Sequence, residues 1–122
     1  MTHRKKILTL DFDGVLHSYT TKWSGAASIP DPPVDGALEF LREAVEKFDV
    51  HILSTRSHQP GGISAMNQWC CDWFGVEITK RLTFAEVKPP AHVSLDDRGL
   101  TFDGKFPSVQ SLLDFVPWIK RR

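Results

Sequence analysis

Asp11 and Asp13 are the residues of this chain best placed to do chemistry. They stand one residue apart in Leu8-Thr9-Leu10-Asp11-Phe12-Asp13-Gly14-Val15-Leu16, directly after an apolar, β-prone run from Ile7 to Leu10. Side chains two apart on an extended chain point the same way. The two carboxylates are therefore expected to converge just beyond the end of a buried strand. Like charges that close are costly unless a cation or a shared proton compensates them. Gly14 can take a positive φ and release the chain into a tight turn. The pattern suits a divalent-metal site in which one carboxylate also serves as a nucleophile.

Three further groups fall in comparable places. Val50-His51-Ile52-Leu53-Ser54 is a second apolar strand ending in a hydroxyl, followed by Thr55 and Arg56. Lys88 stands before Pro89-Pro90, and Val93-Ser94-Leu95 leads into Asp96-Asp97. In a parallel sheet all strand C-terminal ends share one edge, and ligands bind there. Asp11, Asp13, Ser54, Asp96 and Asp97 are thereby gathered by topology alone. Arginine suits phosphate because its planar fork gives paired hydrogen bonds, which makes Arg56 a candidate substrate ligand. Thr55 competes with Ser54 for the hydroxyl role, and the strand register favours Ser54. His17 lies at the root of the first loop, near the presumed site.

The elements that must position these residues are legible from periodicity. Lys6–Asp11 is predicted as the first strand, and residues 17–33 as a polar loop. Asp35 is a plausible helix cap, and after it Leu38, Leu41, Val45 and Phe48 recur at helical spacing. A second strand is predicted over Asp49–Ser54. Ile63, Met66, Trp69, Cys70 and Trp73 then mark the core face of a second helix, which Gly75 ends. Short strands are predicted over 81–84, 92–95 and 100–102. A last helix is predicted after Ser108, carrying Val109, Leu112, Leu113 and Val116. Strands alternating with helices imply a parallel sheet, here a three-layer, Rossmann-like α/β domain.

Composition bounds the function. The 122 residues are 41% hydrophobic and 25% charged, with a formal net charge of +0. One domain with a real core is expected, and the charge gives no global argument for nucleic acid. The basic clusters lie at the two ends, and the N-terminal one precedes the first strand, on the side opposite its C-terminal end. The two cysteines, Cys70 and Cys71, are adjacent and lack partners at metal spacing. No apolar run approaches the ~20 residues of a membrane span. A reduced, cytoplasmic setting is expected.

The four segments, in this order from Leu8 to Asp97, resemble the motifs of the haloacid dehalogenase (HAD) superfamily. The resemblance implies a role for each matching position. Asp11 would be the nucleophile that becomes an aspartyl-phosphate. Asp13 would act as general acid, then as general base. Asp11, the backbone carbonyl of Asp13, and Asp97 would hold Mg²⁺, with Asp96 acting through water; Asp96 and Asp97 could exchange roles. Ser54 would bond a phosphoryl oxygen, and Lys88 would hold Asp11 and neutralise charge on the transferring group. Gly14 and Thr55 would border the bound phosphate. Ser54-Thr55-Arg56 and Asp96-Asp97-Arg98 are also similar to the phosphatase domain of polynucleotide kinase-phosphatases.

What the resemblance implies is a single HAD-like domain over residues 1–122 with no separate cap domain, because residues 18–34 are long enough only for a flap. Its expected activity is Mg²⁺-dependent phosphomonoester hydrolysis on a nucleotide or nucleic-acid end. The oligomeric state is left open. Two rivals belong to other classes. A receiver-type phospho-acceptor module would also use acids, a hydroxyl and a lysine, but with a lone Asp ending the middle strand, where this chain has Ser54. A non-catalytic binding protein on the same fold would not need every catalytic position filled.

Overall fold

Leu8 and Leu10 alternate with Ile7 and Thr9, and this alternation sets the two faces of the first strand. In a computed structural model that describes residues 4–120, β1 (Lys6–Leu10) lies inside a four-stranded, all-parallel sheet. The other strands are β2 (Phe48–Ile52), β3 (Leu82–Phe84) and β4 (Val93–Leu95), and the sheet order is β3-β2-β1-β4. Helix α1 (Ala37–Lys47) links β1 to β2. A 3-10 turn (Thr55–His58), α2 (Gly62–Phe74) and α3 (Val76–Thr79) link β2 to β3. Helix α4 (Val109–Leu113) follows β4. This is an α/β fold with interspersed helices.

Register places Leu8 beside Val50 and Val93, and Leu10 beside Ile52 and Leu95. Of these, Leu8, Leu10, Val50 and Ile52 meet Leu41, Ala44 and Val45 of α1 and Met66, Trp69, Cys70 and Phe74 of α2 in one core, while Val93 and Leu95 of the edge strand are about half exposed. The opposite face carries Thr9, His51, Thr83 and Ser94 at matched positions. No third layer forms on it among the described residues. The connection from β3 to β4 is a loop containing Pro89 and Pro90, and proline disrupts a helix interior. Helix α4 buries none of its residues.

Several local expectations are corrected. Gly36 rather than Asp35 caps α1, in a left-handed conformation (φ 88°) with no side-chain bond. Phe48 is extended rather than helical: its backbone N–H still closes α1 on Ala44 O, and it opens β2. Trp73 is half exposed, while Phe74 takes the core position. Residues 100–102 form no strand. Ser108 does cap α4, accepting from Ser111 N at 3.1 Å. No described helix is long and apolar enough to cross a membrane.

Candidate active site

The chain steps from β1 outward to β2 and β3, then returns to place β4 on the other side of β1. That reversal opens a crevice at the C-terminal ends of β1 and β4, where ligands bind in open α/β sheets. Asp11 leaves β1 and Asp96-Asp97 leave β4, so both flank the crevice. The backbone N–H of Asp11 donates to Leu95 O (3.0 Å) and ties the two strand exits together. Phe12 then turns into the core, fully buried. Its carbonyl accepts the N–H groups of Leu16 (2.9 Å) and His17 (3.0 Å), which coils the chain tightly around Gly14.

Gly14 makes that turn possible and does a second thing. Its φ is 83°, and a Cβ there would overlap the Asp97 carboxylate. The missing side chain is the space that Asp97 occupies. Carboxylate oxygens of Asp11, Asp96 and Asp97 all lie within 4.8 Å of one another. Burial, above all, pushes Asp11 up from the ordinary 3.8 to about 8, helped by its hydrogen bond with Asp97 and by the charges of Asp96 and Asp97. Three crowded carboxylates of this kind offer hard oxygen ligands to a divalent cation, whose charge would remove their repulsion. Gly14→Ala should weaken divalent-cation affinity by at least about tenfold, because Asp97 must move. Isothermal titration measures it, and unchanged affinity would mean that Asp97 is no ligand.

The Asp13 side chain points away from this cluster. Its Oδ1 accepts from His17 Nδ1 (2.8 Å), and its two oxygens accept from Arg56 Nε and Nη2 at 2.9–3.3 Å. Burial opposes its ionisation, but the hydrogen bonds from His17 and Arg56 outweigh that and hold its carboxyl below the ordinary range. His17 is fully buried, and its Nε2 accepts from the backbone N–H of Asp31 (3.1 Å). The ring proton therefore sits on Nδ1, directed at Asp13. Asp31 is held in turn by Thr21 N (2.7 Å) and by Trp69 Nε1, which donates to its carbonyl (3.0 Å). The i,i+4 spacing of Asp13 and His17 was the available sequence signal for this pair.

Arg56 is the main correction among the candidate ligands. It is fully buried. Besides Asp13, its Nη1 donates to the carbonyls of Gly25 (2.9 Å), Ala26 (2.9 Å) and Ser28 (3.0 Å) in the loop between β1 and α1. Its guanidinium lies 4.8 Å from the Trp23 ring centre. With these partners it is a tether for the flap rather than a ligand for phosphate. Lys22 and Arg98 are the cations that line the crevice instead.

The remaining residues divide between two hollows. Thr55 is exposed and lines the main crevice with Asp11, Asp13 and Asp97. Ser54 is buried and caps the 3-10 turn, its Oγ accepting from Arg56 N (3.2 Å). Lys88 shares a smaller hollow of about 220 Å³ with Asp11, Asp96 and Thr9. The structure thus gathers Asp11, Asp96 and Asp97, with Thr55 on the same crevice and Lys88 on the neighbouring hollow; Asp13 lines the crevice too, while its carboxylate bonds Arg56, which is buried behind it. The crevice also has a wall with no local sequence signal. Trp118 Nε1 donates to Gly14 O (2.9 Å), which brings Pro117 and Ile119 to the site. No protein-family profile matches this chain, and no curated protein compared with it does.

Proposed function

We propose that this chain is a Mg²⁺-dependent phosphomonoester hydrolase of the HAD type, acting on nucleotide or polynucleotide phosphates. Its Rossmann-like core would carry no separate cap domain. The observation that carries the reading is the meeting of Asp11, Asp96 and Asp97 at the switch point of a parallel sheet, with Lys88 lining a hollow that Asp11 and Asp96 share. Asp11 is the nucleophile. Attack of its carboxylate oxygen on phosphorus forms an aspartyl-phosphate and breaks the bond to the substrate's oxygen, which takes a proton, in the expected role of Asp13, and leaves as the alcohol. Water then attacks phosphorus, inorganic phosphate leaves, and the Asp11 carboxylate is regenerated.

Asp11, Asp97 and the Asp13 carbonyl are the proposed Mg²⁺ ligands, with Asp96 beside them. The ion would supply charge stabilisation for the transferring group. Lys88, from the neighbouring hollow, would bring a positive charge to the transferring group, and Thr55, on the crevice lining, would offer a hydroxyl. Asp13, held as an anion by His17 and Arg56, is suited to accept the proton of the attacking water.

Turnover should vanish in chelator and return with Mg²⁺. Stability gives an independent readout. The folded chain keeps a proton on Asp11 that the unfolded chain has given up, since its pKa rises from 3.8 to about 8. In chelator that contribution is fully present below the unfolded value and is lost as pH rises through about 8. A bound cation replaces the proton. Mg²⁺ should therefore raise Tm more at about pH 9 than at about pH 6. Full turnover in chelator, or a Tm indifferent to Mg²⁺ at both pH values, would contradict the assignment.

A further inference from the structure

Resting on the hydrolase reading, we infer that the substrate's alcohol carries a planar ring of nucleoside size, and that Pro117–Ile119 forms one wall of the slot that receives it. The crevice encloses about 530 Å³, within the range of small-ligand sites. Asp11 and Asp97 are at its acidic end. Tyr19 and Trp23 line it from the flap, and Pro117 and Ile119 line it from the C-terminal segment. Aromatic side chains from the flap, aliphatic ones from the C-terminal segment and acids on one crevice suit a flat group joined to a phosphate. A polymer would need an open groove.

Three observations indicate that these walls are held in place. Trp23 stacks on the Arg56 guanidinium (4.8 Å), and Arg56 is itself fixed by Asp13 and three carbonyls. The stack gives the indole a fixed partner, although it is 46% exposed. Tyr19 and Lys22 have φ of 60° and 68°, the only positive values outside glycine among the described residues. Both line the crevice, and strain of this kind persists where the surroundings fix it, often at ligand clamps. On the other side, the chain runs exposed over residues 98–114 and then returns to bury Pro117. Trp118 fastens that return to the turn between Asp13 and Val15 through Gly14 O. Lys22 and Arg98 line the same crevice, available to the phosphate or to a ribose hydroxyl.

The test compares a nucleoside 5′-monophosphate with ribose 5-phosphate in Mg²⁺. Both lose phosphate from the same primary alcohol, so the ring is the difference. The nucleotide should show kcat/KM at least about tenfold higher, since stacking a base on aromatic groups is worth that much. In Ile119→Ala and Trp23→Ala the nucleotide-to-ribose ratio should fall toward one, chiefly through KM. A nucleoside without phosphate should inhibit competitively, and ribose should not. A 5′-phosphorylated oligonucleotide should react more slowly than the mononucleotide; a faster reaction would overturn the single-nucleoside slot. Equal kcat/KM for nucleotide and ribose phosphate would overturn the ring. If neither ester is hydrolysed, but the protein binds the nucleoside and Ile119→Ala weakens that binding, the slot stands and the hydrolase reading fails.

Discussion

Asp11→Asn should lower kcat by at least about 10³-fold on any substrate the protein hydrolyses, because an amide cannot form the acyl-phosphate. The fold should survive. Asp11 forms no ion pair with a basic residue among the described residues, and its hydrogen bond from Phe12 N (2.8 Å) can be kept by the amide oxygen. In chelator the variant should be at least as stable as the parent above about pH 8. There the parent carries a charge crowded by Asp96 and Asp97, and the variant carries none. The two readouts separate chemistry from folding. A variant that turns over at near-parental rate would remove Asp11 as nucleophile. A variant that is inactive because it is unfolded would show it in the melting curve.

Arg56→Ala should destabilise the protein by about 3–5 kcal/mol, the range for removing one partner of a buried ion pair. The guanidinium is fully buried and bonds both oxygens of Asp13 together with the carbonyls of Gly25, Ala26 and Ser28. Its loss leaves those carbonyls without that donor and leaves Asp13 with the hydrogen bond from His17 Nδ1. Arg56→Lys should recover only part, because an ammonium cannot span the carboxylate and three carbonyls as a planar fork does. Urea denaturation gives the energy, and faster proteolysis within residues 20–28 reports the loosened flap. If Arg56→Ala keeps stability within about 0.5 kcal/mol while raising KM, the guanidinium serves substrate instead.

The sheet was legible because each strand is a short run rich in apolar residues, and β1, β2, β3 and β4 lie within about two residues of where the pattern puts them. The gathering of Asp11, Asp96 and Asp97 follows from that alone, since a parallel sheet brings strand ends to one edge. What could not be read depends on contacts between residues distant in sequence. Arginine after a strand-end hydroxyl looks like a phosphate ligand, and only its pairing with Asp13, 43 positions away, turns it inward. Trp118 meets Gly14 across 104 positions, with no local pattern to announce it. Leu100, Phe102 and Leu113 are apolar enough to suggest an edge strand and a packed helix, yet all three are exposed. Periodicity reports an apolar face and not whether the fold supplies a partner for it.

The most direct test of the account is to trap the phosphorylated protein. The chain is mixed with an excess of substrate and Mg²⁺, quenched in acid within one turnover, and mapped by mass spectrometry. The account predicts a phosphate adduct on the peptide spanning Asp11, at Asp11 itself, absent in chelator and absent in Asp11→Asn. Turnover without any adduct on this peptide in a quench fast enough to catch the burst, or an adduct on a different residue, would contradict Asp11 as the nucleophile.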